Sequence, residues 1–546
     1  VSFAWQTPPP PVSRGRVGVA GVVVLLVGMG AFLASLGLGP SVDGSSPATA
    51  TGGSSTGSVT ILGPSAASYD PAIQSDAGSA QIVSQLFESL TAVDTAGHVQ
   101  PALADSWTTA ADGRSIVFHL RTGLTYSDGS ALTATDVVFS WLRVLNPSQP
   151  STLASLLDDV VGARAYSEGK GSKSQVGLKA LSDQEVEIDL VNPAADFAAI
   201  ASSPTLSVVP PTIDTRASVL RPGSFVGSGA YVLAADTDTE TTLTANKLYW
   251  AGPPPIKTVH VLSSIGGRSP VAEFENGDLD YTPISLYDAS WIAYDKTLGP
   301  SLRVEPSPSV EYYGFNTSKA PFDDVHVRRA FQMGIDWRRI VALLSDPLEE
   351  PATGMVPPGV PGHSATDFGP VFDVAKAKQE LAAAGYPNGV GFPKITLVTG
   401  GSDLDGAIIA QLRDNLGISI AYEQLDFATY YDRLIKDPPA FWEMGWVADY
   451  PGANDFLGLL LGTGDVNNFG RWTNSDFDAA IKDALSATDQ ATMQQAFDRA
   501  QAVVQDQAPV IPVDYGAGYA LAAPKLLGAI PNGQGLVRYA GLAWGS

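Results

Sequence analysis

PALADSWTTAADGRSIVFHLRTGLTYSDGSALTATDVVFSWLRVLNP, Pro101 to Pro147, packs more local structural signals than any other run in the chain. Asp112-Gly113 predicts a tight turn between two strands, since glycine takes the left-handed backbone conformation that such turns need. Ile116, Phe118 and Leu120 alternate with more polar residues, the period of a strand with one buried face. Asp128-Gly129 predicts the next turn. Thr133 with Asp136 three residues on is a helix-capping pair, and Val138, Trp141 and Leu145 fall on one face of the helix it opens. Turns, caps and buried stripes of this kind build a structural module and assign no ligand contact to it.

Outward from this block the pattern is of alternating strands and helices. Upstream, Ser58 to Leu62 reads as a strand and Ile82, Leu86 and Leu90 share a helical face. Downstream, Val259 to Leu262 is a strand and Gly277 ends a helix. Asp323 or Asp324 caps a helix carrying Val327, Phe331 and Ile335. Asp373 to Gly385 is a helix, Ile395 to Val398 a strand, Asp405 to Leu416 a helix, and Ile418, Ile420 and Tyr422 alternate as a strand. This strand–helix–strand succession predicts an α/β lobe with a mainly parallel sheet. Phe477, Ile481 and Leu485, then Met493, Phe497, Ala500 and Val504, are ordinary packing stripes.

A chain of 546 residues is too long for one core and predicts at least two lobes. The formal net charge of −24 argues against nucleic acid, because a phosphate-binding face needs clustered Lys and Arg. There is no cysteine, so no disulfide, thiol nucleophile, Cys-ligated metal or acylated N-terminal cysteine is available. Arg14 and Arg16 precede an uncharged apolar run, Val17 to Leu38, long enough to span a membrane and oriented by those arginines with the bulk of the chain outside. An uncleaved anchor is favoured over a signal peptide, whose apolar region is shorter. Ala48-Thr49-Ala50 leaves cleavage open, and residues 40–57 read as a flexible tether.

The stretch with binding chemistry is Phe441 to Phe456, FWEMGWVADYPGANDF. It sets Trp442, Trp446 and Tyr450 around Asp449, with no cation between Lys436 and Arg471 to pair that carboxylate locally. A carboxylate among aromatic faces suits an ammonium, drawn by both charge and ring quadrupoles. The alternatives are that Asp449 lies on the surface or pairs with an arginine from elsewhere in the fold.

The Pro101–Pro147 block resembles the signature of the family 5 extracellular solute-binding proteins, the dipeptide and oligopeptide receptors of ABC importers. Leu-Ala, Ser-Trp, an Asp-Gly turn, a Phe-x-Leu-Arg strand, a second Asp-Gly turn and an Asp-Val-Val-Phe-Ser helix occur in that order. Val226 to Leu233, Asn246 to Pro254, Glu273 to Tyr281, Glu311 to Arg339 and the Pro357–Gly362 loop are similar to further family segments. The likeness runs from about residue 58 to about residue 530, and the residues beyond it are expected to form a surface tail or a final short element. The resemblance implies an α/β, two-lobed periplasmic-binding-protein-like fold of class II type with a side domain inserted in the first lobe. The expected division is a cytoplasmic segment 1–16, an anchor or signal segment 17–39, a linker 40–57, a first lobe 58–310 with its side domain at about 88–204, a second lobe 311–509 and a return to the first lobe over 510–546. In the family's peptide receptors a Trp-x-Ala-Asp-Tyr segment lies in the cleft and its aspartate holds the peptide α-ammonium. That motif falls on Trp446, Ala448, Asp449 and Tyr450, with Trp442 and Tyr515 as further cleft candidates. The continuation Pro451 to Asn454 departs from the family's commoner one and leaves the ligand class open.

No Gly-x-Ser-x-Gly, Gly-x-x-x-x-Gly-Lys or His-Glu-x-x-His motif occurs, and His98, His119, His260, His326 and His363 are scattered without metal-ligand spacing. Asp236, Asp238 and Glu240 lack the glycine and distal glutamate of a calcium loop and read as an exposed turn. The expectation is a monomeric receptor, not an enzyme, with no cofactor or metal. It would sit outside the cytoplasmic membrane, tethered or secreted, capturing a peptide and passing it to an ABC permease. A non-peptide solute (an oligosaccharide, metal chelate or opine) and a hydrolase on the same scaffold are the alternatives.

Overall fold

The computed structural model describes residues 57–74, 76–149, 151–214, 220–344, 351–448, 450–487 and 489–546. The expected anchor, almost all of the linker and Asp449 lie outside the described residues. Among the described residues no helix is long and apolar enough to cross a membrane.

The strands among the described residues, in chain order, are β1 (Ser58–Leu62), β2 (Thr91–Val93), β3 (Val99–Pro101), β4 (Ala104–Thr109), β5 (Ser115–Leu120), β6 (Leu178–Ser182), β7 (Glu185–Asp189), β8 (Tyr231–Asp236), β9 (Glu240–Ala245), β10 (Thr258–Leu262), β11 (Tyr281–Pro283), β12 (Leu302–Phe315), β13 (Thr396–Thr399), β14 (Ala421–Gln424), β15 (Phe441–Val447), β16 (Val510–Ala522), β17 (Leu526–Leu527) and β18 (Ala543–Trp544). One sheet runs through both lobes in the order β14-β13-β15-β12-β16-β11-β1-β10-β9-β8. Two long antiparallel strands, β12 and β16, cross between the lobes. Their pairing loses register between Pro306 and Val310, which marks the crossing point. In the second lobe β13, β14 and β15 are parallel, and β15 lies antiparallel to β12.

The Pro101–Pro147 block supplies β4 and β5 of a four-stranded antiparallel side sheet, β4-β5-β7-β6, and a helix packed beside it. Gly113 turns at φ 69° between β4 and β5. Ile116, Phe118 and Leu120 are buried, and the Asp136 carboxylate accepts the Thr133 backbone N–H at 2.8 Å to cap helix Ala134–Val144. Trp141 on that helix is fully buried and donates its indole N–H to the Leu206 carbonyl at 2.9 Å. The acid string at the β8–β9 turn is used internally: Asp236 accepts from Tyr69 Oη at 2.6 Å and Glu240 contacts His260 Nδ1 at 2.7 Å.

Residues past 530 form a short element that is part of the first lobe's core. Val537, Tyr539 and Leu542 are buried there. Arg538 donates to both oxygens of the buried Glu88 carboxylate at 2.8 and 2.9 Å, and Tyr249 Oη donates to Glu88 at 2.5 Å. Of the two expectations for these residues, a surface tail or a final short element, the second holds: they form a strap buried in the first lobe.

Alternation along β15 separates two cores. Trp442, Met444 and Trp446 enter one with Tyr312, Phe469 and Tyr515, while Phe441 enters the other with Tyr313 and Phe315. Gly314 stands opposite Trp442 across the β12–β15 pair, and a Cβ there would overlap the indole ring. Gly314→Ala is expected to destabilise the protein by about 1–3 kcal/mol, the usual cost of overfilling a packed core. Urea denaturation measures it, and an unchanged midpoint would show that the indole can step aside.

Candidate functional site at the junction of the lobes

Strand directions define a crevice. Because β11 is antiparallel to β16, as β12 is, it runs with β12 toward the second lobe, and β1 and β10 run with it. β15 runs the other way, toward the first lobe, and β13 and β14 run with it. The carboxyl ends of both sets therefore point at the crossing of β12 and β16. Ligands of open α/β sheets bind outside strand carboxyl ends.

The Trp446–Tyr450 segment leaves β15 at that crossing, where Ala448 N–H donates to the Pro308 carbonyl at 2.8 Å. Trp446 is buried and donates its indole N–H to Asp455 Oδ2 at 2.9 Å. Tyr450 is buried in the first lobe's core; its hydroxyl donates to Asp196 Oδ2 at 3.0 Å and accepts from Asn454 Nδ2 at 3.0 Å. Trp442 is 1% exposed, edge-on to Tyr312 and Phe469. Tyr515 is buried; its hydroxyl donates to the Gly354 carbonyl at 2.9 Å and accepts the Thr353 N–H at 3.2 Å. The structure thus brings Trp442, Trp446 and Tyr515 into one second-lobe core and puts Tyr450 against the first lobe. In this arrangement these rings are packed, and the two tyrosine hydroxyls and the Trp446 N–H are engaged within the protein.

Two acids of the same stretch, Glu443 and Asp455, escape a reading that gathers the aromatics around Asp449. Strand alternation is the signal that exposes Glu443, since it shares a face with Gly445 and not with the tryptophans. Glu443 lies beside Glu311, whose carboxyl group lies over Gly445 where a Cβ would collide with it. Burial pushes the Glu443 carboxyl up, the Glu311 hydrogen bond opposes this, and Asp405 and Asp514 push it further up. Asp405 itself is buried and accepts from Tyr313 Oη and Thr399 Oγ1, both at 2.8 Å. Among the described residues no group of His, Cys, Asp and Glu has the geometry to hold a metal ion.

Residues 98–468 match the family of bacterial extracellular solute-binding proteins, family 5 (middle). The chain belongs to this family. The solute-binding protein is 32% identical over 462 residues to "Probable deoxycholate-binding periplasmic protein YgiS" of Escherichia coli, covering 82% of this chain and 85% of that one. It is 26% identical over 489 residues to the oligopeptide-binding protein OppA of Bacillus subtilis, covering 86% and 90%. Its fold superposes on the unliganded open form of MppA, a periplasmic murein tripeptide binding protein, with a TM-score of 0.83 at 25% identity, covering 90% of this chain and 98% of that one.

In this solute-binding protein the crossing strands also carry an acid on the first-lobe side. Glu305 of β12 is buried, and Tyr281 Oη lies 3.0 and 3.1 Å from its two oxygens. Burial pushes its carboxyl up to about 7, against the opposing pulls of the Tyr281 hydrogen bond and Arg303. A carboxyl raised in the folded state binds its proton more tightly there than in the unfolded chain. Its contribution to stability is therefore full below the ordinary value of 4.5 and is lost as pH rises through about 7. Glu305→Gln keeps an acceptor for Tyr281 and removes the charge. The variant is expected to melt above the parent protein at pH 8 and to lose that advantage at pH 5, as read by calorimetry at the two pH values.

Proposed function

We propose that this protein captures a peptide outside the cytoplasmic membrane, closes its two lobes over it, and delivers it to the permease of an ABC importer without chemical change. The observation that carries the reading is the convergence of strand carboxyl ends from both lobes on the crossing where the Trp446–Tyr450 segment leaves β15. It is supported by family membership, by relatives named for oligopeptide and murein tripeptide binding, and by the superposition on an open, unliganded form. Asp449 is the ammonium anchor. Its neighbours Trp446 and Tyr450 are pinned by Asp455 and Asp196, which fixes the backbone on either side of it. Trp442 and Tyr515 support that segment from the second-lobe core and reach the solute on closure. The lobes close by a hinge at the β12–β16 crossing, a population shift drawn by tighter binding to the closed form. On this reading the first lobe spans 58–310 with its side domain at about 88–204, the second lobe spans 311–509, the chain returns to the first lobe over 510–546, and the N-terminal apolar segment tethers a monomer to the membrane.

A second reading has one specific support: the relative that is 32% identical is named for deoxycholate, an anion with no ammonium to offer. Titration calorimetry with trialanine, N-acetyl-trialanine and deoxycholate separates the two. The peptide reading expects trialanine to bind, acetylation to abolish most of that binding, and Asp449→Asn to weaken it at least tenfold, about 1.4 kcal/mol or more. Deoxycholate binding that is indifferent to Asp449→Asn, with no peptide binding, would replace it. Trialanine recovered intact after prolonged incubation, as read by mass spectrometry, is the expected result against the hydrolase alternative.

A further inference from the structure

The segment that borders the crevice is fastened at one end in each lobe. Trp446 is packed in the second-lobe core, and further along the Tyr450 ring is packed in the first. The first-lobe partner of Tyr450 is Asp196, just past β7 of the side sheet and at the N-cap of the short helix Phe197–Ile200. The side-sheet module thus reaches the second lobe's crevice segment through one buried carboxyl group. Next to it, Ala195 N–H donates to the Leu485 carbonyl at 2.8 Å, at the end of helix Ser475–Leu485. Gly452, just past Tyr450, keeps the space open, because a Cβ there would collide with the Tyr450 ring.

The hydrogen bonds around Tyr450 have a fixed direction. Its hydroxyl oxygen accepts from Asn454 Nδ2 at 3.0 Å, so its own proton goes to Asp196 Oδ2, also at 3.0 Å. Burial, with Asp196 and Asp455 nearby, raises the phenol well above its ordinary value and keeps that proton in place. The Asp196 carboxyl must therefore accept, and an ionised carboxylate accepts more strongly than a neutral acid. Burial pushes this carboxyl up to about 6; Asp159 pushes the same way, while the Tyr450 hydrogen bond and a backbone N–H oppose. Asp159 is itself raised by burial and by Asp158, against Asn192 and Arg164. The charged and titratable groups facing Asp196 are thus Asp159, with Asp158 and Arg164 acting on it, and Tyr450, with Asp455 acting on it.

We propose that Asp196 is a positioning residue for solute capture: its ionised carboxylate holds the Tyr450 hydroxyl, sets the crevice segment for binding, and makes affinity fall on acidification. This rests on the reading that the Trp446–Tyr450 segment borders the bound solute. A segment already held in its binding conformation spares the solute the cost of ordering it. Binding then favours the ionised form of Asp196. Affinity is full above the ligand-free value of about 6 and falls as pH drops through it.

Titration calorimetry on the full chain at pH 8 and pH 5 tests this, with trialanine as the probe, or deoxycholate where the parent binds that instead. Asp196→Asn keeps an acceptor for Tyr450 and removes the charge. Relative to that variant, the parent's affinity is expected to fall severalfold from pH 8 to pH 5, with about tenfold as the ceiling for a group at about 6. The comparison cancels the titration of the peptide amine, Glu305 and Glu443, which both proteins share. At pH 8, Asp196→Ala is expected to bind severalfold more weakly than Asp196→Asn. Tyr450→Phe is expected to weaken binding at pH 8, and in that background Asp196→Asn is expected to alter neither affinity nor its pH profile. A merely structural acid would not show that coupling, and the two near-isosteric variants keep the test open if Asp196→Ala does not fold. Folded Asp196→Asn with the parent's affinity at both pH values, or with tighter binding at pH 8, overturns the assignment and leaves the crevice reading in place. A parent that binds neither probe overturns the reading on which this inference rests, and the inference with it.

Discussion

The β12–β16 pair is the constraint on which the rest of the molecule depends. Backbone hydrogen bonding passes through it from one lobe to the other, so the two halves share one sheet and are not independent bodies on a string. A paired ribbon bends more easily than it stretches or shears, and this one bends where its register is lost, between Pro306 and Val310. The same pair orients everything around it. Strands running with β12 bring the first lobe's carboxyl ends to the crossing, and strands running against it bring the second lobe's. A crevice at that point is a consequence of strand direction before any side chain is considered.

Four acids ride on this ribbon or next to it. Glu305 and Glu311 are on β12, Asp514 is opposite Glu311 on β16, and Glu443 is on the neighbouring β15. Glu305 is raised to about 7 and Glu443 is also raised, both chiefly by burial. Taking carboxylates out of water is expensive unless they are protonated or hydrogen-bonded, and here a hydroxyl and a second carboxyl group supply partners. The hinge region is thus less stable near neutral pH than an apolar ribbon of the same shape. Elements that move are drawn from the less stable parts of a fold.

The parts legible in the sequence are those written in local code. The Asp-Gly turns, the Ile116–Leu120 alternation and the Thr133–Asp136 cap each need only a few neighbouring residues, and each is found where its pattern places it. The second-lobe helix Val374–Ala383 and strand Thr396–Thr399 are readable for the same reason, whereas the strand expected on Ile418, Ile420 and Tyr422 begins only at Ala421. The aromatic stretch is harder. Read as a cluster, Phe441 to Phe456 surrounds Asp449; read with a period of two, it sends Trp442 and Trp446 into one core, Phe441 into another, and leaves Glu443 on the second face. The partners of Trp446 and Tyr450 are not legible in that way. Asp196 is far away in the chain, and Asp455 reaches Trp446 only because the segment after β15 turns back on itself.

The strap beyond residue 530 has a consequence for the order of assembly. Glu88 is 1% exposed and its countercharge is Arg538, 450 residues further along the chain. A chain made from its amino end therefore presents that acid without its guanidinium until every strand of the second lobe has been added. The lobe that begins first gains this charge only after the other has all of its own residues.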